Sequence, residues 1–335
     1  MEKKTIIFSH ESDIDGLGSI ILGKIAFGEI DYVLVPNINA LETRFSEMLE
    51  AGELDKYDNI YVTDLTLYNP SADIVKNNPT LSKKVIVFDH HKSAINDGYD
   101  KYDFMRIVED DSYGRKRCGT ELFYEFLLST DVIKGNEALD KFVELTRLED
   151  TWEWKKNKDS GEKAHDLAIL LNIIGIDEYI SRMYSKLVEN TEDFNSDDSE
   201  NAMIKARKEE YLRLLQQLWS NAEIFNDEDS NKFSAVYAGY EYRNELAEYV
   251  KTLNIDELKY LIIVALDKGE FGQKSYRSID ESFNVGAIAE AHGGNGHPAA
   301  ASVNITKEQK EYALTLKNKS IRDSLEYLVK SSYKN

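Results

Sequence analysis

The sequence predicts an α/β protein of two domains, the first of them built on a parallel sheet that helices cover on both faces. Two observations support this prediction. Short β-type runs alternate with helical patterns through residues 1–150, and such alternation is typical of parallel sheets. The β-type runs are also continuously apolar, as expected of strands that are buried on both faces. With 335 residues, the chain is longer than one ordinary domain, so two domains are expected.

The elements of the first domain follow one another as strand, helix and strand. The β-type runs are Thr5–Phe8, Tyr32–Val35, Ile60–Thr63 and Val85–Phe88. The helical patterns between them are Gly16–Phe27, Leu41–Ala51 and Ser71–Asn77. From Cys118 to Leu187 the pattern is mainly helical. Ligands of such sheets gather beyond the carboxyl ends of the strands, so function is expected at that edge.

The rest of the chain predicts a connector and a smaller α/β domain. The first domain is expected to span residues 1–189, the helical connector residues 190–221 and the second domain residues 222–335. The connector begins with an acidic loop and continues as a helix, Ala202–Trp219. In the second domain the predicted strands are Phe233–Ala238, Tyr260–Leu266 and Gln273–Ile279, and the predicted helices are Asn244–Leu253, Val285–Ala291 and much of Lys307–Val329. We expect the active site to lie in the cleft between the two domains.

The composition narrows the classes of function. Against 41 Lys and Arg there are 61 Asp and Glu, a formal net charge of -20. Such a surface repels long polyanions, which argues against binding of long duplex nucleic acid. The single cysteine, Cys118, excludes an internal disulfide framework and a thiolate zinc cluster. Since the chain has neither a signal-peptide core nor an apolar run of about 20 residues, we expect a cytoplasmic protein with no membrane partner. The oligomeric state is left open between a monomer and a homodimer.

Acidic and histidine side chains follow three of the four predicted strands. They are His10, Asp13 and Asp15 after the first, Asp64 after the third, and Asp89, His90 and His91 after the fourth, with Asp150 closing a later helical stretch. Any one of these acids is more often a helix cap than a ligand. Together at one edge they would repel one another unless divalent cations bind between them. Oxygen and imidazole ligands suit Mn²⁺ or Mg²⁺, with Mn²⁺ favoured by the histidines, and a pair of such ions is typical of phosphoesterases.

These residues resemble the motifs of the DHH phosphoesterase superfamily, which includes RecJ exonucleases, oligoribonucleases and family II pyrophosphatases. His10, Asp13, Asp15 and Gly16 are similar to the first motif, Asp64 to the second, Asp89-His90-His91 to the third and Asp150 to the fourth. Two residues separate His10 from Asp13, where three are common in several branches of the family. The sequence Asp150-Thr151-Trp152, followed by Trp154, resembles the oligoribonuclease B-type branch.

The second domain resembles the DHH-associated domain of the same superfamily. GGNGHPAAAS, from Gly293 to Ser302, is similar to its glycine-rich signature, although Asn295 interrupts the glycines and Ser302 replaces a final glycine. The resemblance implies that Arg277, Ser278, Gly294, Gly296 and His297 bind substrate. The chemistry agrees, because glycines let backbone amides approach a phosphate closely and arginine can bind its oxygens in a bidentate manner.

The resemblance also implies roles within the metal site. One ion would bind His10, Asp13 and Asp64, and a second would bind Asp15, Asp64, His90 and Asp150, so that Asp64 bridges the two. His91 would contact the phosphoryl group or the leaving oxygen, and Asp89 would orient the imidazoles. The expected cofactors are two divalent ions, Mn²⁺ first and Mg²⁺ as the alternative.

The leading hypothesis is a Mn²⁺-dependent exonuclease that degrades very short single-stranded RNA to nucleoside monophosphates. The alternative enzyme is a phosphatase or phosphodiesterase of small nucleotides, such as 3′-phosphoadenosine phosphate or linear or cyclic dinucleotides. The second alternative is a non-catalytic nucleotide-binding relative, although the ligand set is complete. Trp152 and Trp154 could stack a base, but two residues apart on a helix they cannot face the same way, so core packing is expected for one of them.

Overall fold

The computed structural model describes residues 3–268 and 271–332. Residues 1–2, 269–270 and 333–335, which fall within the predicted domain ranges, lie outside the described residues. The chain forms two compact units, the first ending at Arg207 and the second beginning at Lys208. The division falls inside one long helix, Asp198–Trp219. Each unit has its own sheet and its own core.

The first unit contains a five-stranded sheet in which every neighbouring pair of strands is parallel. The strands are β1 (Thr5–His10), β2 (Asp31–Val35), β3 (Asn59–Thr63), β4 (Val85–Asp89) and β5 (Met105–Ile107), in the spatial order β2-β1-β3-β4-β5. This confirms the predicted parallel sheet. The prediction did not include β5, because three residues are too few to show a strand pattern.

Helices cover both faces of this sheet, as predicted. They are α1 (Ile14–Phe27), α2 (Ile38–Glu50), α3 (Ser71–Asn77), α4 (Lys92–Asn96), α5 (Gly119–Ser129), α6 (Glu137–Asp150), α7 (Gly161–Ile174) and α8 (Ile176–Glu189). Successive residues of β1 point to opposite faces, so Ile6 joins the core under α2 and α3 while Ile7 joins the core under α1 and α5. Burial on both faces accounts for the apolar runs in the sequence.

The long helix that spans the division is α9 (Asp198–Trp219), close to the predicted Ala202–Trp219. Its two halves belong to different cores. Ile204 packs in the core of the first unit, and Leu215 packs in a core of the second. The connector therefore has buried side chains on each side of the division.

The second unit contains a six-stranded mixed sheet. Its strands are β6 (Glu223–Asn226), β7 (Lys232–Tyr237), β8 (Leu258–Ala265), β9 (Gln273–Ser278), β10 (Asn295–Gly296) and β11 (Ala300–Asn304), in the order β10-β11-β9-β8-β7-β6. Only β7 and β8 pair in parallel among these described strands. The helices are α10 (Arg243–Thr252), α11 (Val285–Ala291), α12 (Lys307–Lys317) and α13 (Ile321–Lys330).

The sequence predicts the centre of the second sheet better than its edges. Strands β7, β8 and β9 match the three predicted strands within two residues at each end, and α11 matches its predicted bounds. The prediction missed β6, β10 and β11. The predicted Lys307–Val329 helix is two helices, α12 and α13, the second with Ser320 as its N-cap. In the described parts of the chain no helix has both the length and the apolar character needed to cross a membrane.

Candidate metal centre

The carboxyl ends of β1, β3 and β4 lie side by side, and the acidic and histidine residues follow them there. Ser9 is in register with Thr63, and Thr63 with Phe88. Since the three strands are parallel, the residues that come next in each strand meet at the same edge. The hydroxyl of Thr63 donates to Ser9 Oγ over 2.8 Å, which ties β1 to β3 just before the acidic side chains.

His10, Asp13 and Asp64 form the first group of potential ligands. Each offers one ligand atom, and the three atoms lie within 4.8 Å of one another. His10 Nδ1 is 2.8 Å from Asp13 Oδ2 and 3.7 Å from Asp64 Oδ2. Asp13 is also the N-cap of α1, because its Oδ1 accepts a hydrogen bond of 3.0 Å from the amide of Gly16. The cap interpretation and the ligand interpretation of this acid are thus compatible.

Asp15, His90 and Asp150 form a second such group. His90 Nε2 lies 3.9 Å from Asp15 Oδ2 and 3.5 Å from Asp150 Oδ2. Asp15 is fully buried, and its two oxygens accept hydrogen bonds of 2.7 Å from the amides of Gly119 and Thr120 at the start of α5. The positive end of a helix therefore holds this carboxylate in place.

Asp64 faces both groups. Its Oδ1 is 3.3 Å from His90 Nε2, while its Oδ2 is the oxygen near His10 Nδ1. The backbone of Asp64 is left-handed, with φ 59, and its amide donates to the carbonyl of Phe88 over 2.9 Å. Gly119 is required beside it, because a Cβ at that position would lie 2.7 Å from Asp64 N. This geometry fits a carboxylate shared between two cations.

Asp89 binds its neighbours rather than the two groups. Its Oδ1 accepts hydrogen bonds from the amides of His90 and His91, at 2.8 and 3.2 Å, and lies 2.7 Å from His91 Nδ1. Its Oδ2 accepts from the hydroxyl of Thr66. The contacts suit a residue that orients the imidazoles. The side chain of His91 is about half exposed (51%), and its hydrogen bond to Asp89 raises the pKa of the imidazole to about 9.

The charges of the site are unbalanced. Burial, and then repulsion by Asp15 and Asp13, raise the pKa of Asp64 well above its usual range and that of Asp150 to about 9. Among the described residues, Asp150 Oδ2 is buried with no hydrogen-bond partner. Buried acids without compensation are costly. Carboxylate and imidazole atoms grouped in this way fit divalent cations such as Mn²⁺ or Mg²⁺.

Cys118 takes no part in this chemistry. Its side chain is buried, and burial, followed by the charges of Asp15 and Asp150, raises the pKa of the thiol well above its usual range. A protonated thiol is a weak ligand and a weak nucleophile. The residue serves as the N-cap position of α5, directly before the amides that bind Asp15.

In the second unit, Arg277 and Ser278 lie at the end of β9. The Arg277 guanidinium donates to Asn244 Oδ1 over 2.9 and 3.2 Å and to the carbonyl of Tyr276 over 2.9 Å. Burial, and then the nearby Arg243, lower the pKa of Arg277. Ser278 is buried, and its hydroxyl donates to the carbonyl of Asp280. The guanidinium is therefore oriented by uncharged groups.

Close packing of the backbone explains why glycine occupies positions 294 and 296, the two glycines predicted to bind substrate. A Cβ on Gly294 would lie 2.1 Å from Ser302 O, and one on Gly296 would lie 2.3 Å from the Cα of Ala301. Gly296 also has a φ of 151. His297 is exposed in the loop between β10 and β11, and its amide donates to Ala300 O over 2.8 Å. A role of these residues in binding substrate stays a prediction.

Sequence reasoning missed three contributors. The amides of Gly119 and Thr120 hold Asp15 although the residues are more than 100 positions away from it. Arg243 neighbours Arg277 and lies 3.9 Å from the ring centroid of Tyr240. For Gly119 and Thr120, the only feature of the sequence that could have indicated a role is their position at the start of a helix. For Arg243 the sequence offers no such feature, because a single arginine on a helix is common.

The chain is similar to known proteins in sequence and in fold. The oligoribonuclease NrnB of Bacillus subtilis (strain 168) is 29% identical over 304 residues, which cover 90% of this chain and 73% of that protein. No protein-family model matches the chain.

Two solved structures are similar in fold. The DHH domain of a protein described as a member of a family of ribosomal proteins has a TM-score of 0.53 at 12% identity, covering 99% of this chain and 88% of that one. The pGpG-specific phosphodiesterase PggH of Vibrio cholerae has a TM-score of 0.51 at 13% identity, covering 96% and 100%.

The parallel sheet, the motif residues at its carboxyl edge and these similarities agree with the resemblance to the DHH phosphoesterase superfamily.

Proposed function

We propose that the protein hydrolyses the phosphodiester bonds of short oligoribonucleotides and releases nucleoside monophosphates. One observation carries this proposal: Asp64 Oδ2 lies 3.7 Å from His10 Nδ1 and Asp64 Oδ1 lies 3.3 Å from His90 Nε2, and the two imidazoles belong to different groups of potential ligands. Shared carboxylates of this kind are typical of two-metal phosphoesterases. The similarity to NrnB, whose name is that of an oligoribonuclease, favours RNA as the substrate.

The ions of this proposal are two divalent cations, with Mn²⁺ preferred and Mg²⁺ as the alternative. When bound, they would supply an activated water and neutralise charge on the phosphoryl oxygens. His10, Asp13 and Asp64 would hold one ion, and Asp15, Asp64, His90 and Asp150 the other. Carboxylates outnumber imidazoles among these side chains, which suits hard cations.

In this proposal His91 contacts the substrate, and Asp89 orients His91. The hydrogen bond between His91 Nδ1 and Asp89 leaves His91 Nε2 free to donate to a phosphoryl or leaving oxygen. The exposure of His91, in contrast to the burial of Asp89 and Asp64, gives a substrate access to that nitrogen. Asp89 fixes the ring through the same hydrogen bond.

The second unit would bind another part of the substrate. Burial has the largest effect in lowering the pKa of Arg277, the charge of Arg243 lowers it further, and the charges of Tyr240 and Glu245 partly oppose this. A phosphate between the two arginines would relieve their repulsion and accept several hydrogen bonds. Ser278, Gly294, Gly296 and His297 are the remaining proposed contacts. The acidic exterior disfavours a long duplex, so the proposed partners are short single strands.

A second candidate function is a phosphatase or phosphodiesterase of small nucleotides. It shares the proposed site, and the fold similarity to a protein named as a pGpG-specific phosphodiesterase favours a linear dinucleotide among the small substrates. The third possibility, a non-catalytic nucleotide-binding protein, is disfavoured because a full set of potential ligands is grouped at the sheet edge.

A product time course distinguishes these functions. The full chain with Mn²⁺ is incubated with labelled RNA of two, five and twenty nucleotides, and with 3′-phosphoadenosine phosphate and a cyclic dinucleotide. We expect monophosphates from the two- and five-nucleotide RNA, with slower loss of the longest strand. Hydrolysis confined to the two-nucleotide RNA, to 3′-phosphoadenosine phosphate or to the cyclic dinucleotide would favour the second candidate. Elemental analysis tests the third, since a non-catalytic relative would purify without a transition metal.

A further inference from the structure

Trp152 and Trp154 have different surroundings. The ring of Trp154 stacks on His165, with centroids 4.1 Å apart and planes at 9°, and it packs against the main core of the first unit. Trp152 is 58% exposed. Of the two candidates for base stacking in the sequence, core packing therefore applies to Trp154.

The backbone of Trp152 is strained. It follows the end of α6 with φ 61 and ψ 11, and its amide donates to Glu149 O over 3.1 Å. This left-handed position after a helix is normally taken by glycine or asparagine, because a Cβ there is unfavourable. A bulky aromatic residue with positive φ is uncommon. The backbone conformation therefore disfavours a tryptophan at this position.

The location of Trp152 links it to the metal centre. It stands two residues after Asp150, so their Cα atoms are at most about 7 Å apart. Lys155 Nζ lies 4.6 Å from the centroid of the Trp152 ring and 5.6 Å from that of Trp154. The Trp152 ring thus has the ammonium group of Lys155 beside it, and more than half of the residue is exposed to solvent.

We propose that Trp152 is a stacking platform for the nucleobase next to the scissile phosphate. Strained residues and exposed aromatic rings are both costly for a soluble fold, and both are common where a ligand binds. An aromatic ring stacks on any base, since every base has a π-face. Lys155 adds a positive charge for the neighbouring phosphate. The platform makes the enzyme selective for phosphodiesters that carry a base, and this inference rests on the proposed function.

Steady-state kinetics with a matched pair of substrates tests the platform. One substrate is a dinucleotide, and the other has the same backbone with a base-free ribose analogue at one residue, tested at each residue in turn. For Trp152→Ala we expect kcat/KM on the dinucleotide to fall by about 5- to 150-fold more than on one of the two base-free analogues. Trp152→Phe should retain most of the wild-type ratio of kcat/KM on the dinucleotide to kcat/KM on the base-free analogue. Equal losses on all substrates would overturn the platform.

Stability measurements separate binding from a structural role. Trp152→Gly should be at least as stable as the wild type to urea, because glycine relieves the left-handed strain, while its selectivity for bases should be lost. A clear loss of stability in Trp152→Gly would assign the ring to folding. Tyr113→Ala is the matched control, because Tyr113 is an exposed aromatic residue of the same unit, and it should leave the substrate ratio unchanged.

A binding experiment distinguishes failure of the platform from failure of the proposed function. The chain contains three tryptophans, so Trp154→Phe combined with Trp219→Phe leaves Trp152 as the sole tryptophan emitter. Adenosine 5′-monophosphate should quench its fluorescence, and ribose 5-phosphate should not. Quenching without any RNA hydrolysis would refute the proposed function and support the platform. RNA hydrolysis without quenching would support the proposed function and refute the platform.

Discussion

The two sheets bury charge in opposite ways. The carboxyl edge of the first sheet holds three buried acids, Asp15, Asp64 and Asp89. The charges of Asp15 and Asp64 lie close to each other and to those of Asp13 and Asp150. The second sheet buries a cation, Lys274 on β9, which is 1% exposed. Its ammonium group donates to the carbonyl of Leu328 over 2.9 Å and to the carbonyl of Ser331.

The difference shows how buried charge can distinguish function from structure. Burial raises the pKa of Asp64 and lowers the pKa of Lys274 to about 8. Repulsion between acids adds to the first shift, and nothing but burial is needed for the second. Carbonyl groups satisfy Lys274 and tie the carboxyl-terminal helix to the sheet. Asp64 and Asp150 instead face other acids, and among the described residues Asp150 Oδ2 has no hydrogen-bond partner. Only the first arrangement predicts a ligand.

The largest expected effect is the loss of hydrolysis on removing the shared carboxylate. Asp64→Asn should reduce kcat/KM by roughly 10³-fold or more, because both ions would lose a ligand. The same variant should be no less stable than the wild type in the absence of metal, since a source of repulsion is removed. Kinetics on a dinucleotide and urea unfolding with a chelator measure the two effects.

Asp140→Asn is the control for that substitution. Asp140 accepts a hydrogen bond of 2.7 Å from the hydroxyl of Tyr124, which asparagine can also accept. It should retain wild-type kinetics. Near-normal turnover by Asp64→Asn would show that this carboxylate is not shared between ions.

Metal removal should affect one unit and spare the other. Mn²⁺ at 100 times its dissociation constant should stabilise the first unit by about 2.7 kcal/mol for each ion bound. Hydrogen exchange would then slow at the amides of β1, β3 and β4 and stay unchanged at those of β8, and a chelator would reverse the difference. Equal protection of both sheets would contradict a site confined to the first unit.

Arg277 tests whether the second unit captures substrate. Arg277→Ala should raise KM by about 10- to 100-fold with kcat changed far less, because a charge-assisted hydrogen bond to phosphate is lost. Arg322→Ala is a control, since Arg322 pairs with Glu223 at the surface. If Arg277→Ala lowered kcat at unchanged KM, the residue would act in the chemical step instead.

The smallest effect concerns Lys274 and the pH dependence of stability. Below pH 8 both folded and unfolded chains carry the charge, so the cost of burying it is fully present. Between pH 8 and about 10.5 the folded chain binds fewer protons than the unfolded chain, so stability rises with pH. Relative to Lys274→Met, the wild type should gain up to about 2 kcal/mol between pH 7.5 and 9.5. Urea unfolding at several pH values measures this gain, and parallel curves for the two proteins would refute it.

The sequence was most informative where a pattern is local. Strands β1, β3 and β4 were predicted within two residues of their bounds, because a buried strand needs only a short apolar run. The same runs end at the acids, so the approximate position of the site followed from the parallel topology. The short strands β5, β6 and β10 carry too few residues for such a pattern.

By itself, the sequence determined the class of the first sheet and the side chains that meet at its carboxyl edge, because alternation of elements and apolar runs are local properties. Only the tertiary structure decided how those side chains divide their roles. That Asp64 faces two groups, that the start of α5 holds Asp15, and that Trp152 is exposed while Trp154 is packed all depend on contacts between distant positions. Asp15 and Gly119 are 104 residues apart, and no periodicity in a single sequence records such a pair.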